Sequence, residues 1–136
     1  MSLKSQISVE YMLIMGFAVL ITLPLLLIYY TYISDTSDAV ATSQALQIAR
    51  NIVDASESVY YLGKPSQTTL KLNFPDRIYS TNLSSRELVF KIKTKNGITD
   101  IVQVSDVNIS GSLPISQGIH TITVTAQDRY VQITSN

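Results

Sequence analysis

The chain has 136 residues, with ten Lys and Arg against ten Asp and Glu and a formal net charge of zero. That balance supplies neither a basic face for nucleic acid nor an acidic tail. The absence of cysteine excludes disulfides, thiolate nucleophiles and cysteine-based zinc sites, so an exported form must rely on its core or its oligomer for stability.

At the amino terminus Met1-Ser2-Leu3-Lys4-Ser5 forms a short polar leader with one cation. From Tyr11 to Ile33 there are 23 residues without Asp, Glu, Lys or Arg. As a helix rising about 1.5 Å per residue this run reaches roughly 35 Å, enough to cross a hydrocarbon core of about 30 Å. It is too long for the apolar core of a cleaved secretory signal, roughly 7–15 residues. The A-x-A triplet Ala39-Val40-Ala41 is detached from it by Ser34-Asp35-Thr36-Ser37-Asp38. Lys4 on one side and Asp35 and Asp38 on the other place the carboxy-terminal part outside the cell. Tyr29, Tyr30 and Tyr32, at the outer end, suit either a membrane interface or packing between helices.

Glu10 adjoins this run. An ionised carboxylate carried into a bilayer costs about 2.5–3.5 kcal/mol even on the lenient insertion scale, so Glu10 either stays among the headgroups near Lys4 or has a partner. Pro24 lies inside the run, where it removes one backbone hydrogen bond and crowds the carbonyl of Leu20. Together with Gly16 it gives the helix slack, a tolerated feature of membrane helices or a source of extensibility.

Gln6-Ile7-Ser8-Val9-Glu10-Tyr11 matches Gln-x-Ser-x-Glu-Tyr at every fixed position, directly before the apolar run. In this the chain resembles the archaeal type IV pilins that carry a class III signal peptide. The resemblance implies that a membrane prepilin peptidase cuts between Ser5 and Gln6 and leaves the hydrophobic helix on the mature protein. It also implies a cytoplasmic assembly ATPase, a platform membrane protein and a helical homo-oligomer. The leader is short, and Ser5 stands where the family more often has Gly. The cut would create an α-amine, largely charged at neutral pH, four residues from Glu10. In a filament core the amine of one subunit can neutralise Glu10 of its neighbour; if the terminal Gln cyclises, hydrogen-bond donors such as a neighbour's Ser8 must replace it. Assembly is thereby assigned to Gln6, Glu10 and Tyr11.

From Ala39 to Leu62 helical spacing returns. Leu46, Ala49, Ile52, Val53, Ser56, Val59 and Tyr60 recur three or four apart, while Gln47, Arg50, Asn51 and Asp54 take the other side. The N-cap formers in Ser34–Asp38 allow a break there, and Gly63 followed by Pro65 marks the stop. Without a break, residues 6–62 form one rod on the order of 85 Å.

After Pro65 the period becomes two. Leu70, Leu72 and Phe74 alternate with polar residues, as do Phe90 and Ile92, and Ile122 and Val124. Asn96-Gly97 predicts a type I′ hairpin between 87–95 and 98–105, and Ala126-Gln127-Asp128-Arg129 turns the chain into 130–134. Five or six strands in an antiparallel sheet, covered by the stripe from Leu46 to Tyr60, give an α+β fold. The expected organisation is a leader (1–5), a hydrophobic helix that is first anchor and then filament core (6–33), its amphipathic continuation (34–63) and an extracellular β domain (64–136).

Signals for catalysis are thin. His120, the sole histidine, reads as a satisfied or rim residue; Ser116 and Asp106 can be drafted into a triad with it, but no nucleophile elbow is present. Asp54 and Glu57 lie three apart on the helix, which suits a cation or a solvated face. No phosphate-cradling glycine loop, metal site or cofactor motif appears. Asn82-Leu83-Ser84 and Asn108-Ile109-Ser110 are sequons for N-glycosylation. The expected protein is a non-enzymatic subunit of an adhesive pilus-like filament, anchored in the cell membrane as a precursor and extracellular when mature. Its rivals are a minor pilin or pseudopilin, an archaellin-type subunit, and a bitopic membrane protein whose outer β domain binds a ligand or partner.

Overall fold

The computed structural model describes the backbone of residues 3–136 and the side chains of residues 7–136 except Ser34. Residues 1 and 2 of the expected leader (1–5), and the side chains of residues 3–6, on which the cleavage reading turns, lie outside the described residues. One helix, α1 (Leu3–Leu62), is followed by seven strands: β1 (Gln67–Phe74), β2 (Ile78–Ser84), β3 (Glu87–Thr94), β4 (Gly97–Val104), β5 (Ile109–Gly111), β6 (Gly118–Ala126) and β7 (Val131–Ser135). The fold is α+β. The chain divides into two units, Met1–Ser37 and Asp38–Asn136.

α1 passes through Pro24 and through Ser34–Asp38 without interruption. The possible break at the polar cluster does not occur. Thr36 and Ser37 donate their hydroxyls to the carbonyls of Tyr32 and Ile33, four residues back, at 2.9 and 3.0 Å. Bonded in that way, these residues sit inside a helix instead of capping a new one. The stop falls at Gly63, whose φ of 76° is the left-handed conformation that a C′ glycine accepts without a Cβ penalty. Its N–H bonds the carbonyls of Tyr60 (3.0 Å) and Val59 (3.2 Å).

In the second unit the helix is the core element. Ala41, Ala45, Ile48, Ala49, Ile52, Val53, Ser56 and Val59 are buried, with Leu46 and Tyr60 at the rim. Gln47, Arg50, Asn51 and Asp54 are exposed, as the spacing predicts. Ser56, the polar member of the buried stripe, returns its hydroxyl to the Ile52 carbonyl at 2.7 Å. Two sheets supply the rest: β1-β6-β7-β5, and β2-β3-β4. Their inward residues include Phe74, Ile122, Val124 and Ile133 from one and Leu88, Phe90, Ile92 and Ile101 from the other, all in a single cluster with the helix stripe. Phe74 meets Phe90 edge-on, with ring centres 6.0 Å apart.

The sequence predicts five or six strands in one antiparallel sheet; the structure has seven in two, and β5 pairs with β7 in parallel. The two strands not foreseen carry weak signals. β5 is three residues long, and β2 is rich in Ser, Thr and Asn and is interrupted by a register shift between Ile78 and Ser80. These two strands join the sheets, through the Ile109 N–H to the Ser85 carbonyl (2.6 Å) and the Thr81 hydroxyl to the Leu113 carbonyl (3.1 Å). The strands thus run in the order β1-β6-β7-β5-β2-β3-β4 as one wall against the helix stripe, with β1 and β4 at its ends.

The hairpin signal at Asn96-Gly97 is met one residue early. Thr94 pairs with Gly97, so Lys95 and Asn96 form the turn. Neither has positive φ, whereas Gly97 has φ 129°. A type I′ turn needs positive φ at both central residues, so the turn is of another type and the glycine opens β4. This hairpin is tied to the helix by Asp38, whose carboxylate accepts the Lys95 backbone N–H at 2.8 Å and pairs with the guanidinium of Arg77 just before β2.

Replacing Phe90 by Ala should cost about 3–5 kcal/mol, because a large, fully buried core side chain packed on Phe74 is deleted. Tyr79→Ala, at an exposed position, should change stability by no more than about 0.5 kcal/mol. Denaturant titration of the detergent-solubilised chain, followed by the tyrosine signal or circular dichroism, measures both.

Candidate functional site

The first unit consists of helix alone, and its surface is the feature that calls for a function. Every side chain from Ile7 to Ile33 is exposed, with Met12 at 76%, Leu27 at 71% and Tyr30 at 70%. Burying one large apolar side chain contributes about 1.5–3 kcal/mol, so the whole run represents on the order of tens of kcal/mol in unfavourable contact with water. Continuous apolar surface of this extent marks a membrane or protein interface. Among the described residues this is the one helix long and apolar enough to cross a membrane.

The two threonines inside the run keep their hydroxyls on their own helix. Thr22 donates to the Ala18 carbonyl at 2.7 Å, and Thr31 to those of Leu27 and Ile28 at 3.0 and 2.8 Å. Hydroxyls bonded to their own helix enter lipid or a helix interface without an unpaired donor. Gly16 has nothing near the place a Cβ would occupy, and Val9, Met12, Leu13, Phe17 and Leu20 border a shallow notch over it. Pro24 lies about two turns beyond Gly16, within the continuous helix.

Glu10 stands at the amino-terminal end of this surface and is exposed, as is Tyr11. Between Ile7 and Ser37 there is no Lys, Arg or His. Within that stretch, therefore, Glu10 has no cation to pair with. Once water is removed, the carboxylate must meet a positive group from elsewhere or carry the cost of burial alone. No family model matches the chain, and no curated protein or solved structure is significantly similar to it.

The sequons lie on the second unit. Asn82, in β2, and Asn108, just before β5, are both exposed. Asn82 faces outward beside Val89 of β3, its register partner. Ser116 and His120 do meet, with Oγ 3.2 Å and the Ser116 carbonyl 2.9 Å from Nε2. This is a local contact four residues apart, and the imidazole stands edge-on to Phe74 with ring centres 5.5 Å apart. The third triad candidate, Asp106, donates its backbone N–H to Glu57 at 3.0 Å. That bond gives Glu57 a part in fastening the loop after β4 to the helix. Among the described residues no three of His, Asp and Glu gather as a metal group would require.

Asp38 stands in the sequence as one of a polar cluster and as a charge beyond the apolar run; that it holds Arg77 and the β3–β4 turn is seen once the strands are in place. The lone signal was its place at the start of the helical spacing that resumes with Ala39.

A Lys at position 20, in mid-run, should add about 2.5–3.5 kcal/mol to the cost of membrane insertion. Leu20→Lys is expected to lower the membrane-bound fraction after carbonate extraction, while Leu20→Ile leaves it unchanged.

Proposed function

We propose that this chain is the structural subunit of an extracellular, type IV pilus-like filament, and that it is not an enzyme. The observation that carries the reading is the helical surface from Ile7 to Ile33, exposed throughout and headed by a single acid, with no Lys, Arg or His from Ile7 to Ser37. Such a surface suits two successive environments. Lipid satisfies it in the precursor. Neighbouring copies of the same helix satisfy it in the filament, where Glu10 can meet the amine exposed by cleavage before Gln6.

Glu10 then sets the axial register of the polymer. An ion pair in a dry core adds little net stability, but leaving one member unpaired costs about 3–5 kcal/mol, so misregistered neighbours are rejected. Gly16 and Pro24 give the packed helices local freedom. The β domain forms the outer surface of the filament, and its exposed Asn82 and Asn108 are the positions for N-linked sugar. Adhesion is the use that this arrangement serves, through the filament's surface. On this reading the partners are other copies of the chain, a prepilin peptidase, an assembly ATPase and a platform membrane protein.

Amino-terminal sequencing and negative-stain microscopy of material sheared from cells test this reading. The expected results are filaments whose subunits begin at Gln6, and at least a tenfold fall in sheared filament for Glu10→Ala at unchanged membrane content. An uncut leader with no polymer would identify a bitopic membrane protein with an outer binding domain and overturn the filament reading. Intact mass at the bare polypeptide value would remove the sugars.

A further inference from the structure

The wall of the second unit ends in two free strands. β1 is bonded on one side to β6, and β4 on one side to β3. Both have eight residues, both lie in unbroken register with their single neighbour, and neither contains proline. Bulges, prolines, very short strands and charged side chains are the usual means of protecting an edge; these two edges have none of the first three and one charged residue each in the positions that face away from the wall.

The phase of each ladder shows which backbone groups point away from the wall. Ala126 N–H bonds the Ser66 carbonyl at 2.9 Å, and Ser105 N–H bonds the Arg86 carbonyl at 2.7 Å. In an antiparallel pair the bonded positions alternate. Leu70 and Leu72 therefore bond to β6, and Gln67, Thr69, Lys71 and Asn73 present their N–H and C=O outward. By the same rule Thr99, Ile101 and Gln103 bond to β3, and Ile98, Asp100, Val102 and Val104 present theirs outward.

Each outward set holds a single charge: Lys71 on β1 and Asp100 on β4. Among the described residues Lys71 makes no ion pair, and Asp100 has a loose, exposed one with Lys91 at 3.8 Å. Laid antiparallel with Lys71 opposite Asp100, the strands overlap from end to end, with Gln67 against Val104 and Phe74 against Gly97. In that register every outward-pointing backbone group on one edge faces one on the other. The inward faces also continue each other, since Leu70 falls opposite Ile101 and Leu72 opposite Thr99. Shifting by two residues keeps the backbone match but loses both the charge pair and the full overlap.

We propose that these edges mate between copies, β1 of one chain adding to β4 of the next. The contact is head-to-tail, so it propagates without closing on itself unless the rotation happens to form a ring. It joins the outer domains of neighbouring subunits by a shared ladder, independently of the helices. The proposal rests on the filament reading for the copies to be brought together, but its chemistry lies wholly in the second unit.

The test uses the full-length chain with Thr69→Cys and Val102→Cys in one molecule, expressed in cells and oxidised in intact sheared and membrane fractions. These two positions are opposed in the proposed register, at a separation compatible with a disulfide. The expected result is a ladder of covalent multimers, reduced at least tenfold when Ile98→Cys replaces Val102→Cys. Lys71→Asp or Asp100→Lys in the Thr69→Cys, Val102→Cys background should each reduce the ladder several-fold, and the two together should restore it. Absence of the ladder in the parent cysteine pair, or failure of the double charge exchange to restore it, overturns the proposal. If Glu10-dependent filaments form while the ladder is absent, the edge contact is wrong and the filament reading stands; a ladder without filaments gives the reverse.

Discussion

The structure depends on one constraint: the helical run from Ile7 to Ile33 has no water-compatible side. An amphipathic helix settles its apolar stripe against a domain core and leaves the rest in solvent. This run is apolar on every side beyond Glu10, its two threonine hydroxyls are turned back onto its own carbonyls, and tens of kcal/mol of burial are at stake. Lipid or close-packed copies of itself meet that demand, and on the proposed reading the chain uses both in turn. The one acid in the way, Glu10, then changes from a liability into a specification. It tolerates a dry neighbour solely where a positive group has been placed.

The same α1 follows the opposite rule in the second unit. There Ala45, Ile48, Ile52, Val53 and Val59 are taken into a local core by two sheets, and Gln47, Arg50 and Asp54 remain in water. Asp38 marks the start of this regime by holding Arg77 and the β3–β4 turn. Glu57 does similar work further along, at the loop after β4. Charged residues here fasten strands to the helix, whereas the apolar stripe supplies the energy. A wall built this way leaves two strand edges unpaired, and their matched lengths, phases and charges are what suggest that the wall is continued by another copy.

Much of this was legible in the sequence because hydrophobic period is a strong signal over long windows. The spacing from Leu46 to Tyr60 located the buried stripe, and the alternation at Leu70–Phe74, Phe90–Ile92 and Ile122–Val124 located three inward strand faces. What escaped was set by tertiary context. β2 and β5 are held by neighbours and not by their own composition, and the parallel β5–β7 pairing leaves no local trace. The helix runs through Ser34–Asp38 because Thr36 and Ser37 bond backward, a choice that N-cap propensity alone does not reveal. The turn at Lys95-Asn96 shows how a glycine can fix a hairpin while standing just outside it. In the candidate site, Glu10, Tyr11, Gly16 and Pro24 were legible as departures from an otherwise uniform run, while the role of Asp38 needed the strands to be in place.

The central claim is that the apolar run ends its journey among copies of itself. A nitroxide attached at Leu20→Cys tests it most directly, compared between the membrane fraction and sheared extracellular material. The account predicts a sharp, lipid-accessible spectrum in the membrane. In the sheared material it predicts strong dipolar broadening, from neighbouring labels within about two helix diameters, on the order of 20 Å, with no access to water-soluble relaxants. An unbroadened spectrum in the extracellular material, or a label open to water there, would contradict it.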